Sequence, residues 1–229
     1  MSELAVRELP LFLLPDVVLF PQEVLPLHIF ESRYRIMLRS VLERDSRFGV
    51  VRWDPVNKIM SDVGCCAEII KSQTSEDGRS NIITLGQQRF RILEVIREEP
   101  FVTALVSWIE DEDDKSGEEI QKLSNSVLTA LKDVVSLTSK LRESDAVLPD
   151  DLPDLPRELS FWIGAHLAGP VAKEQQHLLE LKSTWDRLER EYEMLDHTRK
   201  QLAARTVLKE TFSNVDKANR VDSDVDLDI

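Results

Sequence analysis

The sequence predicts an α+β protein, with a β-rich N-terminal lobe carrying one packed helix, then a helical lobe that ends in a long helix. Three observations carry this. Four of the ten prolines, Pro10, Pro15, Pro21 and Pro26, punctuate the apolar stretch LPLFLLPDVVLFPQEVLPLHIF at intervals of five or six residues. Proline offers no N–H and fixes its own φ, so these runs suit short extended segments at strand starts, edges and turns, not a helix. Asp77-Gly78 stands between two strand-like runs, a hairpin signal. From Glu118 onward apolar residues recur every three or four positions, the period of a helix.

Taken in order, Phe30, Tyr34, Met37, Leu38 and Val41 place a helix directly after the proline-spaced runs, from Phe30 to Arg44. Arg47 to Trp53 is a strand that Asp54-Pro55 ends. Val63 to Thr74 and Asn81 to Leu85 are the two arms of the hairpin, and a type I′ turn would set Glu76 opposite Arg79. Phe101 to Ile109 is apolar on both alternating sets except Thr103 and Ser107, which predicts burial on two sides. The acidic run Glu110 to Asp114 reads as a solvated link.

Ile120, Leu123, Val127, Leu131, Val134 or Val135, and Leu141 form the stripe of the first long helix. Asp145 to Pro156 is a proline-bearing connection, and Pro156 suits the first turn of a short helix that stops at Gly169-Pro170. Leu178, Leu181, Trp185, Leu188, Tyr192, Leu195 and Leu202 make a narrow apolar seam, and its part from Leu181 to Leu195 needs a cover, for which the helix of Ile120 to Leu141 in the same chain is favoured over that helix of a second copy. Ser183, three residues before Asp186, is a candidate N-cap that would divide this segment into two helices. The expected domains are therefore a β-rich lobe over 1–112, a helical lobe over 113–212 and an acidic disordered tail over 213–229.

Charge and cysteine use exclude several functions. The 229 residues hold 29 Lys plus Arg against 42 Asp plus Glu, a net charge of -13. General binding to nucleic acid or to anionic lipid needs a basic surface, so both are disfavoured. The two cysteines, Cys65 and Cys66, are adjacent and too close for relaxed disulfide geometry. With no secretory signal pattern and no apolar run of about 20 residues, a cytoplasmic protein outside the membrane is expected.

The stretch PLFLLPDVVLFPQEVLPLHIFESRYRIML resembles the opening of the Lon substrate-binding domain, the N-terminal region of ATP-dependent Lon proteases. The likeness continues through Val63-Gly64-Cys65, Asp77-Gly78 and Gly86-Gln87-Gln88-Arg89-Phe90-Arg91-Ile92, and so covers about Leu9 to Ile109. Cys65 replaces a threonine of the family pattern, and Gln22 stands where the family often has glycine, which favours a type I turn at Pro21-Gln22. The resemblance implies that the β lobe is a partly open, PUA-like barrel with one helix against it. It also implies that the region beyond Leu202, in Lon the stalk leading to the ATPase, leaves Val207, Leu208 and Phe212 as candidates for a partner contact.

No phosphate-binding loop G-x-x-x-x-G-K-[ST], G-x-S-x-G elbow or H-E-x-x-H occurs in the sequence. The expectation is a stand-alone, non-enzymatic domain without cofactor, metal or catalytic residue. His28, His166, His177 and His197 lack partners at metal-ligand spacing, and His28 reads as a partly buried histidine satisfying backbone groups. Cys65 and Cys66 read as inert strand thiols, Trp108 and Trp162 as core aromatics, and Arg33, Arg35 and Arg39 as partners of nearby acids. The function that the resemblance implies is polypeptide binding in the manner of the Lon domain, with unfolded or specific protein clients and a protease or ATPase as partner, an adaptor or chaperone-like role being its finer form. The alternatives are an RNA-binding PUA-like module and a structural interaction protein.

Overall fold

The computed structural model describes residues 6–143, 145, 147–166 and 172–223, at 210 and 212–223 by their backbone alone. In chain order the elements are β1 (Val6–Pro15), β2 (Val24–Ile29), α1 (Ser32–Leu42), β3 (Arg47–Asp54), β4 (Ile59–Met60), β5 (Val63–Thr74), β6 (Ser80–Arg97) and β7 (Thr103–Trp108). The helices α2 (Gly117–Arg142), α3 (Pro156–His166), α4 (Ala172–Glu180) and α5 (Thr184–Ser223) follow.

Pro10 marks the point at which β1 changes partners. Val6 to Pro10 pair antiparallel with β7, whereas Leu11 to Pro15 pair parallel with β3. A residue without an N–H costs least where one ladder gives way to another. The strand order is β1-β7-β6-β5-β3-β4, with β2 on β6 and β1 also paired with β3, so the α+β class is as expected and the sheet curls back on itself. Both faces of β1 are covered: Leu9, Leu11 and Leu13 belong to one core with Phe90 and Val106, while Phe12 and Leu14 belong to another with α1. Two-sided burial is why this strand reads as a continuous apolar run.

In α1, Tyr34, Met37, Leu38 and Val41 are buried, one stripe of a helix with its other side in water. Between β1 and β2, Val18, Leu19 and Phe20 are buried without forming a strand. A Cβ on Gly86 would lie 1.9 Å from the Phe20 carbonyl oxygen, so glycine is required where this segment crosses β6. The turn that follows differs from the expected type I. Gln22 has φ 66° and Glu23 N–H donates to the Phe20 carbonyl at 3.2 Å, the pattern of a type II turn with a non-glycine residue at its third position.

The β5–β6 hairpin also differs from the expected type I′ turn. Thr74 pairs with Ser80, and Ser75 N–H donates to the Arg79 carbonyl at 2.8 Å, which leaves a three-residue loop, Glu76-Asp77-Gly78. Only Gly78 has positive φ, at 77°, so the turn is type I followed by a left-handed glycine. Arg79 accordingly pairs with Asp77 at 3.3 Å, not with Glu76. Ladder register set the loop length, and the Asp-Gly pair adapted to it.

The contacts divide the chain into two compact units, Met1–Ser116 with Pro153–Arg187, and Gly117–Leu152 with Leu188–Ile229. The sequence-based division placed 153–187 with the helical lobe, whereas α3 and α4 pack on the sheet through Phe161, Leu178 and Leu179 against Val18, Phe20 and Val63. In the second unit α5 is tied to α2 by Arg199–Asp133 at 3.2 Å and by Lys209, which donates to the Leu141 carbonyl at 3.2 Å and pairs with Glu143, just past the end of α2, at 2.7 Å. Of the expected tail, 213–223 is helical backbone in α5, and 224–229 lie outside the described residues, as does the stop at Gly169-Pro170.

Two substitutions test the turns. Gln22→Gly relieves a left-handed glutamine and should raise stability by about 0.5 kcal/mol after the entropy of the freer unfolded chain is subtracted. Gly78→Val should lower it by at least about 1 kcal/mol, because a β-branched residue at positive φ is strained. Urea midpoints of the two variants and the parent check both signs.

Candidate functional site

The acidic run 110–114 contains the most buried ion cluster described. Asp111 lies between Arg89 of β6 and Arg187 in the first turn of α5, with Arg187 at 2.6 Å, and all three side chains are nearly or fully buried. Thr184 Oγ1 also donates to Asp111, and Arg187 Nε donates to Ser160 Oγ at 2.8 Å. Arg89 donates to the carbonyl oxygens of Leu179 and Leu181, which closes the end of α4. The Phe161 ring lies 4.0 Å from the Arg187 guanidinium carbon, a cation–π contact. Burial pushes the Asp111 carboxyl up, but Arg187, the Thr184 hydroxyl and Arg89 outweigh it and hold the group below the usual carboxylate range. Burial lowers Arg89 to about 10, so it remains charged at neutral pH. Asp113 accepts from Ser183 Oγ at 2.8 Å and from Trp185 N–H at 2.9 Å, while Ser183 Oγ accepts from Asp186 N–H as the expected N-cap. The run is therefore a clasp, not a solvated link. Its groups are committed to one another, and the cluster serves the fold.

The other sequence candidates separate cleanly. Cys65 and Cys66 are buried free thiols, and burial pushes both up, Cys66 to about 11, so neither is a reactive thiolate at neutral pH. Arg33 pairs with Glu31 at 2.8 Å, whereas Arg35 donates to the Asp77 carbonyl at 3.0 Å and so braces the hairpin. Arg39 is exposed on α1. Trp108 is half-buried in the β1–β7 core, and Trp162 is half-buried with His166 stacked on it at 4.2 Å. His28 is exposed, not partly buried: its Nδ1 is 2.7 Å from Asn81 Oδ1 and its ring stacks on Phe30 at 6.0 Å. Val207 and Leu208 are 62% and 57% exposed on α5, and the Phe212 side chain lies outside the described residues. Among the described residues no group of three or more His, Cys, Asp or Glu is placed to hold a metal, and no helix is long and apolar enough to cross a membrane.

His28 belongs to a surface that the sequence reading missed. The register sets Val24 beside Leu85, Pro26 beside Ile83 and His28 beside Asn81 on β2 and β6. On the other side of β6, Leu85, Ile83 and Asn81 meet Glu68, Lys71 and Gln73 of β5. Residues directly across an antiparallel ladder share a face. The opposite face, with Leu25, Leu27, Ile29, Ile69 and Ile82, is packed in the core that contains α1. Among the described residues the outer face has no such cover: Val24 is 55% and Phe30 59% exposed, Pro26 is exposed, and Ile83 and Leu85 are half-buried. Ile70, the extra residue of a β5 bulge, is 55% exposed beside them. Glu68 is held by Arg47 at 2.8 Å. Grouped apolar exposure on an ordered sheet marks an interaction surface. The signal lay in VLPLHIF, where both alternating sets are apolar although α1 can cover only one.

Residues 8–197 match the family described as the ATP-dependent protease La (LON) substrate-binding domain, and the chain belongs to that family. It is 26% identical over 189 residues to a Lon protease of Cytophaga hutchinsonii, a match covering 77% of this chain and 23% of that protein. Lon protease 2 of Myxococcus xanthus is 26% identical over 200 residues, covering 85% and 24% respectively. The matches thus span about a quarter of those proteases. Among solved structures, a Lon N-terminal domain protein from Xanthomonas campestris superposes with a TM-score of 0.59 at 25% identity, over 80% of this chain and 96% of that one. The N-terminal domain of the Mycobacterium avium complex Lon protease has the same fold, with a TM-score of 0.60 at 17% identity over 83% and 98%.

Removing the Asp111 charge should be costly. Asp111→Asn leaves two buried guanidinium groups without their carboxylate and should lower stability by about 3 kcal/mol. Because the folded carboxyl titrates below its unfolded value, its contribution is complete above about pH 4 and is lost as pH falls through the lower folded value. Urea midpoints at pH 5 and pH 3 should therefore fall further for the parent than for Asp111→Asn.

Proposed function

We propose that this chain is a non-catalytic polypeptide-binding module whose contact surface is the outer face of β2, β6 and β5. The observation that carries the proposal is the uncovered apolar face at Val24, Phe30 and Ile70, on the lobe that the substrate-binding family match includes. An ordered sheet holds these side chains apart from one another, so they cannot collapse and hide from water. A client that exposes apolar side chains gains by covering them. Family membership supports substrate binding in general; an adaptor or chaperone-like role, with a protease or ATPase receiving the client, is the finer form of the proposal. Val207 and Leu208 are proposed as a separate contact for that partner, since two large aliphatic side chains stand exposed in succession on α5.

The test is binding of a permanently unfolded, carboxymethylated protein by fluorescence anisotropy. The paired substitution Val24→Asp with Ile70→Asp alters exposed positions, so melting should be nearly unchanged while affinity falls at least about tenfold. Undiminished binding would remove the face from the proposal, and tighter binding of a structured RNA than of the unfolded protein would replace the function. Val207→Asp with Leu208→Asp should leave client binding intact and reduce capture of a Lon-type ATPase.

A further inference from the structure

The shape of the outer face narrows the kind of segment that fits it, given the polypeptide-binding function proposed above. We infer that it receives a short amphipathic helix from a partner protein, about three turns long, with an acidic residue placed to meet Lys71. Strand addition is the usual way for a sheet to capture a peptide, and it needs a free edge with regular donors and acceptors. Both free edges here are blunted. Pro26, in the middle of β2, offers no N–H to an added strand. Beyond Glu68 the β3 pairing of β5 ends, but the exposed edge begins with the Ile70 bulge and Lys71, both of which disfavour edge pairing. Capture must then use side chains on the face.

Size favours a helix. The six residues of β2 span about 20 Å, and the outer strands of a three-stranded sheet lie about 10 Å apart, which matches the diameter of a helix. The inner face of the same strands already shares a core with α1, a helix of 11 residues. A second helix on the outer face would complete a layered arrangement in which the sheet is covered on both sides. Charge supplies the orientation. Lys71 is exposed, stands beside Ile83 in the register and makes no ion pair among the described residues. Glu68, the carboxylate in the neighbouring row, is already engaged by Arg47. The unmatched charge on the face is therefore positive, although the chain as a whole carries -13.

Three synthetic peptides of about 14 residues, four turns at most, test this with the intact chain. The first has leucines at helical spacing with one bordering glutamate, the second has the same residues with a central proline, and the third has lysine in place of the glutamate. Anisotropy should show the first binding at least about tenfold more tightly than the second, because proline breaks the helix. The third should bind about two- to fivefold more weakly than the first, the range of an exposed ion pair, and Lys71→Glu should reverse that order. Equal binding of the first two peptides would overturn the helical mode in favour of an extended one. Binding of the unfolded protein without binding of any peptide would overturn the inference but leave the function proposed above intact, whereas loss of both would remove that function as well. A concentration-dependent dimer in sedimentation, abolished by Val24→Asp, would assign the face to a second copy of this chain and overturn the inference too.

Discussion

Asp111 holds the first compact unit together. Arg89 comes from the middle of β6 and Arg187 from the first turn of α5, 22 and 76 residues away from it in sequence, and one carboxylate pairs with both guanidinium groups and neutralises half of the charge that they bring inside. Burying such a cluster is expensive, and an apolar replacement of equal volume would often be at least as stable. What the cluster supplies is direction. Arg89 ends α4 by binding the carbonyl oxygens of Leu179 in its last turn and of Leu181 just beyond it, and Asp111 and Asp113 together fix where α5 begins. An apolar contact would allow α4 and the start of α5 to slide on the sheet, whereas paired guanidinium and carboxylate groups accept one geometry.

That anchoring explains why 153–187 belongs with the strands although it is helical. Phe161 is the pivot: it lies in the apolar core with Val18 and Phe20, and its ring also lies against the guanidinium of Arg187. The aromatic face shields the ion cluster from water, and the cluster in turn positions α3. Sheet, acidic run and short helices therefore act as one cooperative unit.

Much of this was legible in the sequence where local rules decide. The α1 stripe, the strand at Arg47, the two-sided burial of β7 and the Ser183 cap follow from periodicity and side-chain hydrogen bonding close in sequence. Asp111 was not legible, because five consecutive acids look solvated until two distant arginines arrive. The type II turn at Gln22 was not legible either: Phe20 must stay buried and Gly86 must cross its carbonyl, and tertiary packing imposes a left-handed φ that glutamine does not choose. The outer sheet face escaped for a different reason. Val24, Pro26 and Phe30 are as apolar as Leu25, Leu27 and Ile29, and a pattern without contrast does not say which set is covered.

An apolar sheet face left open is a hazard as well as a tool, since edge pairing between copies would turn it into an aggregate. The devices that disfavour this are on the same three strands. Pro26 and the Ile70 bulge interrupt the edges, Lys71 adds a charge beside Ile83, and a net charge of -13 makes identical copies repel one another. None of these devices covers the apolar side chains themselves. The edges are protected while the face remains available, an arrangement that suits a surface for partners presenting side chains and excludes most partners presenting only backbone.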